Sequence, residues 1–240
     1  MRYIYLSPHL DDAALSAGGW IYEQTQKNIP VEIWTIMCGY PPDSQLSPFA
    51  QYLHNAWGME TAQQVVRGRR QEDVNSAKIL GATAIHFDFL DCIYRRDMGG
   101  NWLYDSIFID PLPQEEYLPK QIADEILPRL KPDDKLVAQL GIGKHVDHVL
   151  VRRAAELLNK PILYVADIPY LFNTPEHLDE HKAGMKEKVN RVSDTGIHVW
   201  VEAVAAYESQ ILALFESPES MRNRIREYCL EHNGLRFWSK

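Results

Sequence analysis

Cysteine is scarce and carries no pattern. The three thiols, Cys38, Cys92 and Cys229, are odd in number and widely spaced, and no CxxC pair occurs. That excludes a disulfide framework and a thiolate zinc knuckle, and it fits reduced thiols in a cytoplasmic protein. Basic charge is also short. The chain has 25 Lys and Arg against 33 Asp and Glu, a net charge of -8. Nucleic-acid binding needs a concentrated basic patch, so nucleic acid is not the expected partner. No apolar run reaches the ~18 residues of a membrane span. The first residues enter an apolar run directly, without a signal-peptide pattern. Internal repeats and low-complexity tracts are missing as well. The expectation is one domain over residues 1–240.

What is present is an alternation of strand and helix patterns. Short apolar runs predict strands at 3–7, 31–37, 85–89, 136–140 and 162–166, with a later one at 198–201. Three- and four-residue periodicity predicts helices near 13–26, 59–80, 119–130, 146–158, 203–215 and 218–232. This βα order implies the α/β class: a Rossmann-like three-layer sandwich with a mostly parallel central sheet, plus C-terminal helices. Long loops at about 40–56, 92–118 and 168–196 each follow a strand, which gathers them at the carboxyl edge of the sheet. They carry Tyr40, Phe49, Tyr52, Tyr94, Trp102, Tyr104, Tyr170 and Phe172. Such rings either wall a pocket, as for a sugar ring, or pack into satellite clusters beneath the loops.

Two turns carry chemistry. Ser7-Pro8-His9-Leu10-Asp11-Asp12 ends the first strand and opens a helix of small residues. One Asp is enough to cap that helix, which leaves His9 and the second Asp to be explained. Gly141-Ile142-Gly143-Lys144-His145-Val146-Asp147-His148 is again strand, turn and helix start. If the two strands are neighbours, His9, Asp12 and His148 can converge. Two imidazoles and one carboxylate make a three-ligand zinc site with one open position for water, the pattern of a catalytic ion. The leftover groups then acquire roles. Asp11 can take a proton from the water. His145 can stabilise an oxyanion or protonate a leaving nitrogen, with Asp147 orienting its ring. Together they form a set for hydrolysing an amide. Arg69 falls on the buried face of its helix, where it either pairs with Asp73 four residues on or contacts a substrate.

These residues resemble the LmbE-like, or PIG-L-like, N-deacetylases. The first motif of that family has the form (A/P)-H-P-D-D-E and the second H-P-D-H, matched by Pro8-His9-Leu10-Asp11-Asp12 and His145-Val146-Asp147-His148. Gly18-Gly19, Arg69-Arg70-Gln71-Glu72 with Ala77 and Leu80-Gly81, Asp91, and Ala206-Tyr207-Glu208-Ser209-Gln210 extend the likeness over most of the chain. Asp167-Ile168-Pro169-Tyr170 resembles a D-x-P-Y segment of some members. The resemblance implies that His9, Asp12 and His148 carry Zn2+ or another divalent metal. It makes Asp11 the general base and has His145 assist at the oxyanion. Arg69 and Asp91 would touch the sugar, although Asp91 can equally cap the start of its loop. The implied partner is a small-molecule amino-sugar conjugate that loses an N-acetyl or N-acyl group, and a homo-oligomer is compatible with the sequence. Leu10 stands where the family has Pro, and Ala13 where it has an acidic residue, which bears on ligand support and substrate preference. Two other readings use the same groups. One is a metal-dependent esterase or amidohydrolase on a non-sugar acyl substrate. The other is a non-catalytic ligand-binding member, which would need neither Asp11 nor His145.

Overall fold

The computed structural model describes residues 1–240. In chain order its elements are β1 (Tyr3–Ser7), α1 (Asp12–Thr25), β2 (Val31–Met37), α2 (Pro48–Ala56), α3 (Ala62–Leu80) and β3 (Thr83–Phe89). Then come α4 (Leu118–Ile126), β4 (Lys135–Gln139), α5 (Val146–Leu157), β5 (Ile162–Val165), α6 (Tyr170–Asn173), α7 (Leu178–His181) and β6 (Lys186–Asn190). The chain ends with α8 (Asp194–Ala205), α9 (Glu208–Leu214), α10 (Pro218–Glu231) and β7 (Leu235–Ser239).

The strands form one seven-stranded sheet in the order β3-β2-β1-β4-β5-β7-β6. The first five are mutually parallel, while β7 runs antiparallel to β5 and to β6. This is the expected mostly parallel α/β sandwich. The chain winds from β1 to β2 and β3 on one side and from β4 to β5 on the other. Right-handed crossovers then put α1 and α3 on one face and α5 on the opposite face. Accordingly α1, α3 and α8 pack together, and α4 packs on α5. The winding direction reverses between β1 and β4, which pair directly through Tyr3 with Lys135 and Tyr5 with Val137. A crevice opens at the carboxyl ends of strands at such a reversal.

Three sequence expectations are corrected. Residues 198–201 lie inside α8 rather than in a strand. That helix is squeezed between α1, α3 and α10, so its apolar run reflects burial on several sides. β6 and β7 had no forecast, because β6 is the polar stretch Lys186–Asn190 on the sheet edge. Lysines on an edge strand deter further pairing, and they hide the strand pattern. The loop at 40–56 contains α2, started by Ser47, whose side chain accepts from the Ala50 N–H.

The small residues of α1 have a packing cause. A Cβ on Gly18 would lie 2.4 Å from Cδ1 of Trp200. The indole cannot retreat, since it is fully buried and its Nε1–H donates to the Ala14 carbonyl at 2.7 Å. So α8 seats against α1 only where α1 lacks side chains, and this fixes the helix that leads out of the first motif. No helix is long and apolar enough to cross a membrane.

Candidate active site

The two motif turns meet because β1 and β4 are neighbours. At the end of β1, Ser7 Oγ accepts from the Ala13 N–H at 3.0 Å and donates to the His9 carbonyl at 2.7 Å, folding the turn back on itself. Asp11 sits at φ 143°, outside the regions open to ordinary side chains. Strain of this kind is held where the surroundings over-determine the backbone, and here it aims two consecutive carboxylates at one point. At the end of β4, Gly141, Gly143 and Lys144 all have positive φ. A Cβ on Gly143 would lie 3.0 Å from Cβ of Tyr170. This close approach brings α6 over the second turn.

Three donors converge on the turn. Asp12 Oδ2 lies 3.3 Å from His9 Nδ1 and 3.2 Å from His148 Nε2. The opposite ring nitrogens are each held by a buried carboxylate: His9 Nε2 by Asp147 Oδ2 at 2.9 Å, and His148 Nδ1 by Asp167 Oδ1 at 2.8 Å. A carboxylate accepts, so these nitrogens carry the protons, and His9 Nδ1 and His148 Nε2 present their lone pairs inward. A carboxylate behind a histidine is the arrangement that orients metal ligands. His148 Nε2 is buried, lies near Asp12 without hydrogen-bond geometry, and has no other partner. A buried polar atom without a partner needs an explanation, and a cation on the inward side supplies one. The donor set of two imidazoles and a carboxylate therefore fits a divalent metal. Burial lowers the basicity of both rings, yet Asp12 and Asp167 together carry His148 up to about 9, while Asp91, Asp12 and Asp147 raise His9 well above its usual value. The carboxylates thus favour a positive charge at the inward nitrogens, and a bound cation would supply it in place of a proton, leaving the lone pairs free to ligate.

Asp11 stands beside the donors. Burial pushes its carboxyl up to about 7, against the pull of Arg69 and with the help of Asp12. Arg69 Nη2 lies 3.4 Å from Asp11 Oδ2 and donates to the Leu10 carbonyl at 3.2 Å. The intrahelical pairing of Arg69 with Asp73, one of the two readings of Arg69, does not form. Asp73 instead accepts from Tyr207 Oη at 2.6 Å, and its other oxygen lies 2.9 Å from His86 Nε2. Arg69 is left free to turn toward Asp11, stacked 4.9 Å from the Trp57 ring.

His145 caps α5, and its Nδ1 accepts from the Asp147 N–H at 3.2 Å, which leaves its proton on Nε2. Burial and the charges of His9 and His148 hold its basicity well below the usual imidazole, so it stays neutral. Asp147 orients this ring through its backbone only. Its carboxylate, expected on His145, goes to His9, because α5 turns the side chain at 147 toward β1. Asp91 does two things at once: Oδ1 accepts from the Ile93 N–H at 3.2 Å, capping its loop, and Oδ2 lies 3.9 Å from His9 Nε2.

A cavity of about 290 Å3 rises over these groups. Its floor is His9, Asp11, Asp12, Asp91 and His145, with Arg69 on one side. All three long loops contribute walls, through Leu53 and Trp57, Ile107 and Phe108, and Pro169 and Tyr170, and α9 adds Gln210 and Leu214. Of the eight loop aromatics named from the sequence, only Tyr170 lines it. Tyr94 is buried against His54, Trp102 lies under Arg96, and Tyr52 is exposed. A larger hollow of about 790 Å3, around Lys135, Lys160 and Lys240, is remote from this chemistry and holds none of it.

Sequence reasoning missed Trp57 and Phe108, gave Asp167 no role at His148, and passed over Arg95. Only the D-x-P-Y likeness marked Asp167. Ser209 and Tyr207 of the late motif serve as braces: Ser209 bonds Glu72, and Tyr207 bonds Asp73, fixing α3 beneath the cavity.

The family described as "PIG-L: GlcNAc-PI de-N-acetylase" matches residues 4–158. The 2'-N-acetylparomamine deacetylase of Niallia circulans is 25% identical over 237 residues, covering 89% of this chain and 82% of that protein. A teicoplanin-biosynthesis deacetylase, solved as a bog complex, is 28% identical, with TM-score 0.86 over 100% of this chain and 97% of that one. The zinc-inhibited form of teicoplanin deacetylase aligns over the same spans with the same identity and TM-score. The A40926 pseudoaglycone deacetylase is 25% identical, with TM-score 0.77 over 99% of this chain and 95% of that one.

Proposed function

The chain belongs to the GlcNAc-PI de-N-acetylase (PIG-L) family, and from that membership we propose that it removes an acetyl or longer acyl group from the amino nitrogen of a glucosamine-containing small molecule, using a divalent metal. The observation that carries this reading is that Asp12 Oδ2 lies 3.3 Å from His9 Nδ1 and 3.2 Å from His148 Nε2, with His9, Asp11 and Asp12 all lining the cavity. The relatives named above are described as deacetylases, one of 2'-N-acetylparomamine and others in teicoplanin biosynthesis or of the A40926 pseudoaglycone, and the family description itself names GlcNAc, which supports the substrate class. Zinc is the ion we assign, because imidazole and carboxylate donors with an open position suit it. Residues 1–240 act as one deacetylase domain, a reading supported by the sheet that runs from β1 to β7. Three buried free thiols suit a reducing, cytoplasmic setting.

When bound, the ion supplies Lewis acidity for activating water and polarising the amide carbonyl. The remaining steps belong to the chain. Asp11 accepts the proton of the attacking water as its oxygen bonds to the acyl carbon. The His145 Nε2–H donates to the carbonyl oxygen as negative charge develops there. Asp11 then returns the proton to the nitrogen as the C–N bond breaks, giving a carboxylic acid and a free amine. Arg69 pulls Asp11 toward its carboxylate form against burial and, with Asp91, holds the sugar. Trp57, Phe108 and Tyr170 exclude water from the rest of the cavity.

The test is Asp11→Asn. The variant should keep its metal while acetate release from N-acetylglucosaminyl compounds falls roughly 10²–10⁴-fold, the usual worth of a general base. An Asp11→Asn enzyme of undiminished turnover contradicts the mechanism. Parallel assays of simple esters check that amides of amino sugars are preferred.

A further inference from the structure

We propose that Arg95 is a positioning residue for the metal site: through Asp147 it fixes the His9 ring, and it ties the 92–118 loop to that ligand. The inference rests on the reading of His9, Asp12 and His148 as the ion's ligands.

Asp147 is completely buried, and a buried carboxylate persists only when donors surround it. Its two oxygens are used differently. Oδ2 meets His9 Nε2 at 2.9 Å and accepts from the Cys92 N–H at 3.0 Å. Oδ1 has one partner, Arg95 Nη1 at 2.6 Å. The guanidinium thus sets the plane of the carboxylate, and that plane sets the His9 ring.

Arg95 is itself locked. Its Nη2 donates to Glu115 Oε2 at 3.0 Å, its Nε lies 2.5 Å from Glu115 Oε1, and its Nη1 also donates to the Leu90 carbonyl at 3.0 Å. Tyr104 Oη donates to the same Glu115 carboxylate. Arg95, Glu115 and Asp147 are all buried, so this row of charges is shielded from water and from salt. It runs Glu115, Arg95, Asp147, His9. Its first two members lie near opposite ends of the 92–118 loop, which supplies Ile107 and Phe108 to the cavity wall. One guanidinium therefore closes the loop, through Glu115, and holds the ligand's carboxylate, through Asp147. Without the guanidinium, Oδ1 has no donor, the carboxylate is free to turn, and His9 loses the partner that aims Nδ1 at Asp12. Arg95 touches neither substrate nor ion, and nothing in the sequence motifs points to it.

The test measures affinity for zinc and cobalt by competition with a chelating dye, on wild type, Arg95→Met, Arg95→Lys, Glu115→Gln and Asp147→Asn. Denaturant unfolding of the metal-free proteins runs alongside. Arg95→Met should bind either ion about 10–100-fold more weakly, the range seen when supports behind metal ligands are lost. Arg95→Lys should recover part of that loss, and Glu115→Gln should shift affinity the same way by a smaller factor. In a double-mutant cycle, Arg95→Met and Asp147→Asn should be strongly non-additive in ion affinity, because both act on one carboxylate. Asp134→Asn, at the amino end of β4 and so at the opposite end of the sheet from the row, should lower stability but leave affinity unchanged. That separates positioning from a general loss of structure. Wild-type affinity in folded Arg95→Met, or additivity with Asp147→Asn, overturns the proposal. If Arg95→Met does not fold, wild-type affinity in both Arg95→Lys and Glu115→Gln overturns it. A wild type that binds neither ion refutes the site reading itself, and this inference with it.

Discussion

Asp167→Asn is the most revealing single substitution at the site. The residue is fully buried, and each of its oxygens has one partner: Oδ1 lies 2.8 Å from His148 Nδ1, and Oδ2 accepts from the Ile142 N–H at 2.9 Å. Asparagine has the same shape but offers one acceptor and one amide donor. If the amide faces His148, Nδ1 must become the acceptor. The ring proton then moves to Nε2 and blocks the nitrogen that faces Asp12. If the amide faces Ile142 instead, two N–H groups oppose each other in the interior, at a cost of about 1–3 kcal/mol. The protein cannot escape both. Ion affinity should fall by about 10–100-fold, or roughly 1.4–2.7 kcal/mol, in the first orientation. Stability of the metal-free protein should fall in the second. Dye-competition titration and urea unfolding on one preparation read both quantities. An Asp167→Asn protein with wild-type Kd and wild-type unfolding midpoint would refute the claim that Asp167 sets the His148 tautomer.

Other outcomes follow from the same geometry. Gly18→Ala forces a methyl against a pinned Trp200 and should cost about 1–3 kcal/mol, as overpacking does; an unchanged unfolding midpoint would show that α1 and α8 can separate. Arg69→Gln removes the charge beside Asp11 and, on the proposed function, a sugar contact, so KM should rise and kcat fall together, whereas a pure KM effect would confine Arg69 to binding. Burial pushes the thiols of Cys38 and Cys229 up to about 12 and about 11, so at pH 8 both should resist alkylation until the protein is denatured. Burial opposes the charge of Asp134, but hydrogen bonds from Arg2 and the Lys131 N–H hold it below the usual carboxylate range. Its stabilisation is thus complete above pH 3.8 and fades as pH falls through the lowered value. The stability gap between wild type and Asp134→Asn should close on acidification, and a gap that widens in acid would contradict the assignment.

Four of the five parallel strands, β1, β2, β4 and β5, were legible because each is a short apolar run largely buried on both faces, and the helices between them keep their period; β3, on the sheet edge and mostly half-exposed, showed only through its Ile85–Phe89 part. Where that rule weakens, reading failed. Residues 198–201 look like a strand because α8 is covered on several sides, and β6 looks like a loop because its edge position suits lysines. At the site, the spacing within each turn was visible, and the meeting of the two turns followed from placing their strands side by side, but the pairings behind them were not visible. His9, Asp11 and Asp12 share one turn, as do His145 and His148, and their spacing is visible. The partnership of Asp147 with His9 spans 138 residues and that of Arg95 with Asp147 spans 52, so only the adjacency of β1 and β4 and the path of the 92–118 loop reveal them. The wall aromatics failed for another reason. A ring in a loop is equally apolar whether it lines a cavity, as Tyr170 does, or fills a gap, as Tyr94 does, and periodicity carries no information there.

The account stands on one ion held by His9, Asp12 and His148. The direct measurement is metal stoichiometry by elemental analysis, after reconstitution with zinc and removal of loose ions, on wild type, Asp12→Ala and His148→Ala. One tightly held ion per wild-type chain and none in either variant is the predicted result. Full stoichiometry in both variants, or no retained ion in the wild type, would contradict it.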